Sequence, residues 1–372
     1  MSEYQYYEFL AVDHELDDDQ QAELRALSTR ADITATRFTN EYHWGSFGGN
    51  PMTMMERYFD AHLYVANWGI RSLMIKLPEQ LLDLETAQRY CPADSASAWQ
   101  HGAHVILSLY SDDEDGGDWD ESDETRLGEL IPVRVDLAAG DHRALYLCWL
   151  LAAQTELDEE ELEPPVPPGL NRLTDTLRAL AEFLRIDDDL LAIAAQASGR
   201  PGDVGELAEF VKGLPQRGKD ALLVRSVTGD PHVAAEVRRR FRRQFADIPA
   251  AGTRTVGELL QAATTKRTER EGVATARAAA EALLKERARA EARELRLEAL
   301  AADEENAWRE VAALIESKRP AGYDDAVVLL ADLKAVSART SESATFAERF
   351  AGLRAEHRRK PSLLERFERS GL

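Results

Sequence analysis

The sequence predicts a chain of two unlike parts, an acidic α+β domain followed by an all-α region that contains one long helix. Strand-like and helix-like segments alternate over residues 1–156, whereas strand signals nearly vanish after residue 170. The charge divides at the same point. Residues 1–170 contain 34 Asp and Glu side chains against 10 Lys and Arg, and the rest of the chain is close to neutral. More than one core is expected, because 372 residues exceed what one core ordinarily holds.

The first part, residues 1–156, is built from short elements. Two motifs predict where helices begin: a capping box, Asp17 with Gln20, and an N-cap and N1 pair, Asn50–Pro51. Together the elements predict a mixed or antiparallel sheet with helices on one face, a ferredoxin-like arrangement being one option. Strands are predicted at Tyr4–Val12, Ile33–Tyr42, Arg71–Leu77, Val105–Tyr110 and Ile131–Leu137. Helices are predicted at 17–27, 51–66, 79–90 and 141–155.

The second part is predicted to be helical throughout. An acidic, proline-rich segment, LDEEELEPPVPPG at 157–169, is the expected linker, since proline and like charges stiffen and extend a chain. Residues 170–263 then form a helical domain. After Gly272 the chain has neither Gly nor Pro until Pro320, and this Ala-, Glu-, Arg- and Leu-rich composition predicts a long helix or coiled-coil arm at 264–317. Residues 318–372 complete a C-terminal helical module.

The composition bears on the compartment. The opening MSEYQYYEFL is acidic and aromatic, where a secretory signal is basic. The longest apolar run, at 144–153, has about half of the ~20 residues of a membrane span. The two cysteines, Cys91 and Cys148, are too few for a disulfide framework. We therefore expect a cytoplasmic protein that makes no membrane contact.

The first candidate binding site is the segment VAAEVRRRFRRQF at 233–245. At about 100° per residue, its apolar side chains share one helix face. The opposite face holds four arginines, Arg238, Arg239, Arg242 and Arg243. Guanidinium groups bind carboxylates and phosphates bidentately. The cluster therefore predicts an anion- or partner-binding surface, or else a surface that pairs with the acidic half of this chain.

Exposed aromatic residues are a second class of candidate. Trp44 and Trp68 each stand just before a glycine at the end of an element, and Trp308 opens the apolar end of the long helical run. Tryptophan at such positions is typical of interface anchors. For Trp44 and Trp68 the alternative is that the side chains fill the edge of a core.

Metal-binding patterns are weak. His62 falls among apolar residues and is interpreted as a core histidine. His101 and His104 form H-x-x-H, but a metal site needs three or four ligands. The acidic loop at 111–124 lacks the register of an EF-hand and is interpreted as a solvated loop. We therefore predict no metal.

Motifs of catalysis and nucleotide binding are missing from the sequence. It contains no G-x-x-x-x-G-K-[ST], no G-x-G-x-x-G after a strand and no G-x-S-x-G. We therefore predict no catalytic residue and no cofactor. An enzyme whose groups assemble around His43, Trp44 and His62 stays open as an alternative.

The tail from about residue 307 to 372 resembles the C-terminal tail of bacterial SWIM zinc-finger proteins. Its matching points are Ala307–Trp308, Lys318–Arg319–Pro320, Tyr323–Asp324–Asp325–Ala326 and Arg359–Lys360–Pro361–Ser362. The C-x-C and C-x-H zinc motif of that family is absent here, so its zinc function does not transfer. The resemblance implies a bacterial origin and a shared helical docking module. The opening YQYYEFLAVD is similar to a group of uncharacterised bacterial proteins, which implies no activity.

These observations favour a non-catalytic adaptor or regulatory subunit with a protein partner. A homodimer through the long helix is a further expectation, because its thin Ala-rich stripe is poorly stable without support. The alternative is a nucleic-acid-associated protein, in DNA processing or defence, that grips phosphates through the arginine cluster.

Overall fold

The computed structural model describes residues 3–45, 47–113, 126–245 and 254–372. The chain divides into two compact units, Met1–Glu269 and Arg270–Leu372. The predicted acidic loop at 111–124 lies outside the described residues from position 114 onward. Within the described ranges, no helix is long and apolar enough to cross a membrane.

An antiparallel sheet forms the centre of the first unit, as predicted for this part of the chain. In the described ranges it has seven strands in the order β2-β3-β1-β4-β5-β7-β6, and each strand is antiparallel to its neighbours. This is a larger sheet than the β-α-β-β-α-β unit of a ferredoxin-like arrangement. The strands are β1 Gln5–Leu10, β2 Asp32–Ile33, β3 Arg37–Tyr42, β4 Ala61–Ala66, β5 Arg71–Pro78, β6 Ala96–His101 and β7 His104–Ser111.

Helices cover both faces of this sheet, where the sequence predicted one face. The helices up to residue 245 are α1 Asp18–Leu27, α2 Pro51–Arg57, α3 Leu84–Tyr90, α4 Arg126–Leu130, α5 Val133–Ala138, α6 Arg143–Thr155, α7 Asp175–Phe183, α8 Asp188–Ala194, α9 Val204–Gly213, α10 Gln216–Val227 and α11 Val233–Phe245, of which α9 to α11 pack, within the described ranges, on other helices and not on the sheet. The predicted capping box opens α1, and Asn50 caps α2 with Pro51 at its first position.

Each face of the sheet has a core of its own. The larger core packs Leu63, Leu73 and Leu107 against helix α6, which buries every residue of Ala144–Ala153. The smaller core lies under α1 and α2 and is rich in aromatic rings, with Phe9 at its centre. Side chains alternate between the two cores along each central strand, because successive residues of a strand point to opposite faces. A sheet buried on both sides therefore explains why its strands are apolar in both registers.

Two predicted elements are corrected by the structure. Helix α2 ends at Arg57, and 61–66 is strand β4, because Leu63 and Val65 fill one core while His62 faces the other. The predicted strand at 131–137 is instead helix α5. Its Val133 and Leu137, one helical turn apart, are buried, whereas Val135 is 60% exposed.

The predicted linker at 157–169 lies inside the first unit instead of between domains. Glu163 within it is 1% exposed, and its carboxylate accepts two hydrogen bonds from Arg254 at 2.6 and 2.8 Å. Leu170 is also buried in the larger core, which extends along the chain to Ala263. The division between units comes at Glu269.

The predicted long helix is confirmed as α12, Val256–Ala302, with 47 residues. It ends earlier than the expected 317, because Asp303 caps a new helix through the backbone NH of Asn306. The second unit contains the rest of α12 and the helices α13 Glu304–Glu316, α14 Pro320–Arg339, α15 Ser343–Glu356 and α16 Pro361–Arg369. Its core is built around Trp308, Leu330 and Phe367.

Candidate partner-binding site

Helices α9, α10 and α11 form a three-helix segment within the first unit. Leu207 and Val211, one turn apart on α9, and Leu214, the residue that caps the end of α9, line the side that meets the other two helices. Arg225 ties α10 to α11, because its guanidinium donates to Asp230 at 2.9 Å and to Glu236 at 2.6 Å. The segment is thus held together at one end by charge and along its length by aliphatic contacts.

A cleft of about 480 Å³ opens between these three helices. Its walls are mainly aliphatic, and the charged side chains that reach it are both cationic, Lys219 and Arg238. The lining residues are Leu207, Val211, Leu214, Lys219, Leu222, Leu223, Ser226, Val233, Ala234, Val237 and Arg238. A concave apolar wall with a few placed charges is typical of a binding site.

The apolar wall continues onto the outer face of α10. Leu223 is 65% exposed, and Val224 and Val227 are 62% and 81% exposed. Leu223 and Val227 are one helical turn apart and therefore neighbours on the helix surface. Single exposed aliphatic residues are ordinary, but a cluster beside an apolar cleft is typical of an interaction surface.

Two of the four predicted arginines are turned toward the acidic half of the chain. Arg242 donates to the carbonyl of Ala139 at 3.0 Å and to the carboxylate of Asp141 at 2.8 Å. Arg239 donates to the carbonyl of Gln80. Intramolecular pairing, one of the alternatives set out above, therefore accounts for Arg239 and Arg242.

The carboxylate that receives Arg242 is nearly enclosed. Asp141 is 6% exposed and also accepts two hydrogen bonds from the guanidinium of Arg143, at 2.8 and 3.0 Å. Burial alone would raise the pKa of Asp141, but the hydrogen bonds from Arg143 and the charge of Arg242 hold it below its usual value. The neighbouring Asp136 has its pKa raised, by burial and by the charge of Asp141. This cluster fixes α11 on the sheet-bearing part of the unit.

The other two arginines face outward. Arg238 and Arg243 are both exposed, and Arg238 lies at the wall of the cleft. Residues 204–245 contain nine basic and five acidic side chains, a net charge of +4 in a chain whose total is −22. The three-helix segment is therefore a basic region of an acidic protein, and it favours acidic ligands.

The three candidate tryptophans lie in different settings. Trp44 is 69% exposed with the Arg30 guanidinium 5.9 Å from its ring centre, and Trp68 is 39% exposed. Both follow strands that flank β1, so they lie at the same end of the sheet. Trp308 is 8% exposed and packs on Phe346 in the core of the second unit. The structure thus corrects Trp308 from an interface residue to a core residue.

The histidines of the alternative enzyme site are separated by burial. His62 is 1% exposed, its ring stacks on Phe9 at 3.9 Å, and its Nδ1 lies 2.9 Å from the carbonyl oxygen of Glu8. Burial lowers the pKa of His62 to about 4. His43 is exposed and contacts the Tyr4 ring at 5.2 Å. His62 is thus a core histidine as interpreted, on a strand and not on a helix.

Neither the H-x-x-H pair nor the cysteines build a site. His101 lies 3.6 Å from a carboxylate oxygen of Glu56, and His104 is partly buried. Among the described residues, no cluster of three His, Cys, Asp or Glu side chains could hold a metal ion. Cys91 and Cys148 are both buried, and their contact raises the pKa of the Cys148 thiol.

The cleft is the feature that sequence reasoning missed. Its signal was present on α9, where Leu207 and Val211 recur at helical spacing, and on α10, where Leu223 and Val227 do the same. Such repeats predict which face of a helix is apolar. They do not predict that three faces splay apart and leave a cleft, because that depends on how the helices pack.

No protein-family model, no curated protein and no solved structure matches this chain.

Proposed function

We propose that this chain is a non-catalytic adaptor, and that the cleft between α9, α10 and α11 binds an acidic amphipathic helix of a protein partner. The single observation that best supports the proposal is the joined surface of cleft and exposed α10 residues, with Leu223 at the junction. The setting that we propose is the bacterial cytoplasm, in line with the resemblance of the tail at 307–372.

The shape of the surface favours a helix as ligand. An amphipathic helix places apolar side chains at i, i+3, i+4 and i+7 into a hydrophobic groove. The walls supplied by Val211 on α9, Leu223 on α10 and Val237 on α11 match a ligand that offers one apolar stripe. Burying this surface contributes roughly 25 cal/mol for each Å² of apolar area removed from water.

The charge around the cleft favours an acidic ligand. Lys219 and Arg238 both reach its wall, and Arg243 is exposed on the same helix as Arg238. Complementary charges raise the association rate and exclude partners of like charge. A ligand helix with Glu or Asp beside its apolar stripe satisfies both the groove and these cations.

Nucleic acid is the second candidate, because Arg238 and Arg243 are exposed on α11. Phosphates bind cations and not an aliphatic wall, so a nucleic-acid ligand gives no reason for the exposure of Leu223 and Val227. It predicts affinity that falls steeply with salt. We rank it below the protein partner for that reason.

Site-specific photo-crosslinking in the native cells tests the proposal. A photoreactive residue is placed at Leu223 of the full chain, and a matched control is placed at Val135, which is 60% exposed on α5. We expect the Leu223 probe to join one protein, through a peptide with an apolar helical stripe and acidic flanks. The Val135 probe should leave that protein unmodified.

The charge requirement is tested with the partner that the crosslink identifies. The variant K219E/R238E should weaken binding by about tenfold or more, and L223D/V227D should abolish it. The same protein crosslinked from Val135, or a crosslinked product that nuclease destroys, would overturn the adaptor proposal. The nuclease-sensitive product would support the nucleic-acid candidate.

A further inference from the structure

The central part of α12, in the second unit, is a helix whose side chains all face solvent. Every residue from 271 to 296 is exposed. Three of them are large aliphatic residues at a regular spacing of eleven positions, and Val273, Leu284 and Leu295 are 71%, 64% and 66% exposed. Leu283 beside the middle one is 49% exposed. An aliphatic series exposed over about 33 Å of helix is unusual for a surface that stays in water.

These residues belong to one narrow face of the helix, which we call the Leu284 face. At 100° per residue its members lie within about 40° of Leu284. They are Val273, Arg277, Ala280, Leu284, Ala288, Glu291 and Leu295. The intervals between them are three or four residues throughout, which is the spacing of a coiled-coil seam. Two intervals of four residues meet at Leu284, which is a stutter in the heptad pattern.

At the C-terminal end of this stretch, around 294–297, the opposite side of the same helix is occupied. Leu297 is 2% exposed, the guanidinium of Arg296 lies 2.5 Å from the carboxylate of Asp332, and Arg339 donates to Glu294 at 2.6 and 2.8 Å. These contacts dock α14 on the side of α12 that faces away from Leu295. At that end the Leu284 face is therefore the side of the helix that remains open to solvent, and over the rest of the stretch it is exposed with the other sides.

The Leu284 face is symmetric about Leu284 in its aliphatic positions and opposite in charge in its charged positions. Val273 and Leu295 stand eleven residues on either side of Leu284, Ala280 and Ala288 stand four residues on either side, and Arg277 and Glu291 stand seven. Two such helices placed antiparallel about Leu284 set an aliphatic residue opposite an aliphatic residue in every uncharged layer. We propose that two copies of this chain pair antiparallel through the Leu284 face, with the two-fold axis at Leu284.

The charged layers decide the direction of pairing. An antiparallel pair sets Arg277 of one copy opposite Glu291 of the other, twice. A parallel pair in register would set Arg277 opposite Arg277 and Glu291 opposite Glu291, and like charges facing each other in a seam are destabilising. Arg277 pairs within its own helix with Glu281 at 3.2 Å, an exposed contact that costs little to exchange.

The uncharged layers fit a close approach. Ala280 and Ala288 are small, so the two backbones draw near on both sides of the central leucines. Leu283 flanks the axis and gains cover from its own counterpart. This pairing is a second interaction surface in addition to the α9–α11 cleft, and it does not depend on the adaptor proposal.

Disulfide trapping in the full chain tests the direction. Antiparallel pairing places position 280 of one copy beside position 288 of the other, whereas the two positions 280 are about 12 Å apart along the axis, beyond the reach of a disulfide. Each single variant, A280C and A288C, should therefore stay uncrosslinked under mild oxidation, and a mixture of the two should give a covalent dimer. The native Cys91 and Cys148 are buried and leave the result clear. Crosslinked single variants, or an uncrosslinked mixture, would overturn the proposal.

Solution mass by light scattering or sedimentation tests the face itself. We expect twice the chain mass of 41.5 kDa, and an increase in the dissociation constant of at least about 100-fold for L284R. The matched control is A282R, which adds the same charge on the other side of the helix and should leave the dimer intact. E291R should weaken the dimer, and R277E/E291R should restore it. A monomer at all concentrations, or a dimer that L284R leaves unchanged, would refute the pairing.

Discussion

Helix α6 and the central stretch of α12 have similar amino-acid compositions and opposite solvent exposure. Both are rich in Ala and Leu, yet α6 buries all of Ala144–Ala153 while residues 271–296 of α12 are all exposed. Burial stabilises the first, since each large side chain removed from water contributes about 1.5–3 kcal/mol. The second depends on helix propensity and on ion pairs between neighbouring turns. Secondary structure alone therefore says little about what holds a helix in place.

The difference in burial also indicates a different role for each helix. The side chains of α6 are buried in the core of one unit, so substitutions there change the free energy of unfolding. The side chains of α12 contribute little to the fold at 271–296, so an aliphatic series there indicates a partner. The predictions below separate these two roles, beginning with the largest expected effect.

Truncating the core of α6 should produce the largest loss of stability. Trp149 is 2% exposed and contacts the ring of Tyr146 at 5.6 Å. We expect W149A to lower the free energy of unfolding of the first unit by about 4–5 kcal/mol, because a large cavity is left in a packed core. Denaturant unfolding measures this. L284A is the control from α12 and should cost well under 1 kcal/mol in dilute solution; equal losses would contradict the comparison.

Removing one partner of the buried ion pair should cost nearly as much. Arg254 donates to Glu163, and the hydroxyl of Tyr146 does the same, so the pair closes over the end of α6. R254A leaves a carboxylate that is 1% exposed without its cation, and we expect a loss of about 4 kcal/mol. The double variant R254M/E163L should recover most of it, because it removes the buried charge altogether. A cost below 1 kcal/mol for R254A would show that Glu163 is solvated.

His62 should make the first unit weaker in acid. Its pKa is about 4 in the folded protein, because burial disfavours the charged ring, and near 6.5 in the unfolded chain. The unfolded state therefore takes up a proton as pH falls below 6.5, and the folded state does so only near pH 4. The loss should total roughly 3 kcal/mol between these pH values. H62Q should flatten this part of the stability curve, measured by unfolding at pH 7, 5.5 and 4.5; parallel curves would be the contrary result.

The sequence predicted where several helices begin, but it predicted less well how segments pack against one another. Capping residues such as Asp17 and Asn50 predicted where helices begin, because capping is a local interaction. The segments 61–66 and 131–137 were assigned to the wrong element because short apolar runs fit both periods, and the packing decides between them. The linker was misplaced for a similar reason: a charge run looks solvated until Arg254, far along the chain, is seen to bury Glu163.

The arginine cluster shows the same limit at the candidate site. Its four members share one face of a helical wheel, and nothing local predicts that Arg242 is paired and Arg243 exposed. Only the placement of α11 beside Asp141 turns Arg239 and Arg242 inward and leaves Arg238 and Arg243 outside. The spacing of the Leu284 face was fully present in the sequence, but its interpretation as an interface depends on knowing that the face is exposed.

The smallest effect is expected for the exposed ion pair of α12. Arg277 and Glu281 are 3.2 Å apart with side chains 81% and 54% exposed, so water and salt screen their attraction. R277A should change the free energy of unfolding by less than about 0.5 kcal/mol, against the much larger cost of R254A, although both remove an arginine from a carboxylate. The same R277A should still weaken self-association, because the layer opposite Glu291 loses its cation. A variant that leaves unfolding unchanged and alters mass would place the role of α12 in assembly, whereas the reverse pattern would assign it to the fold.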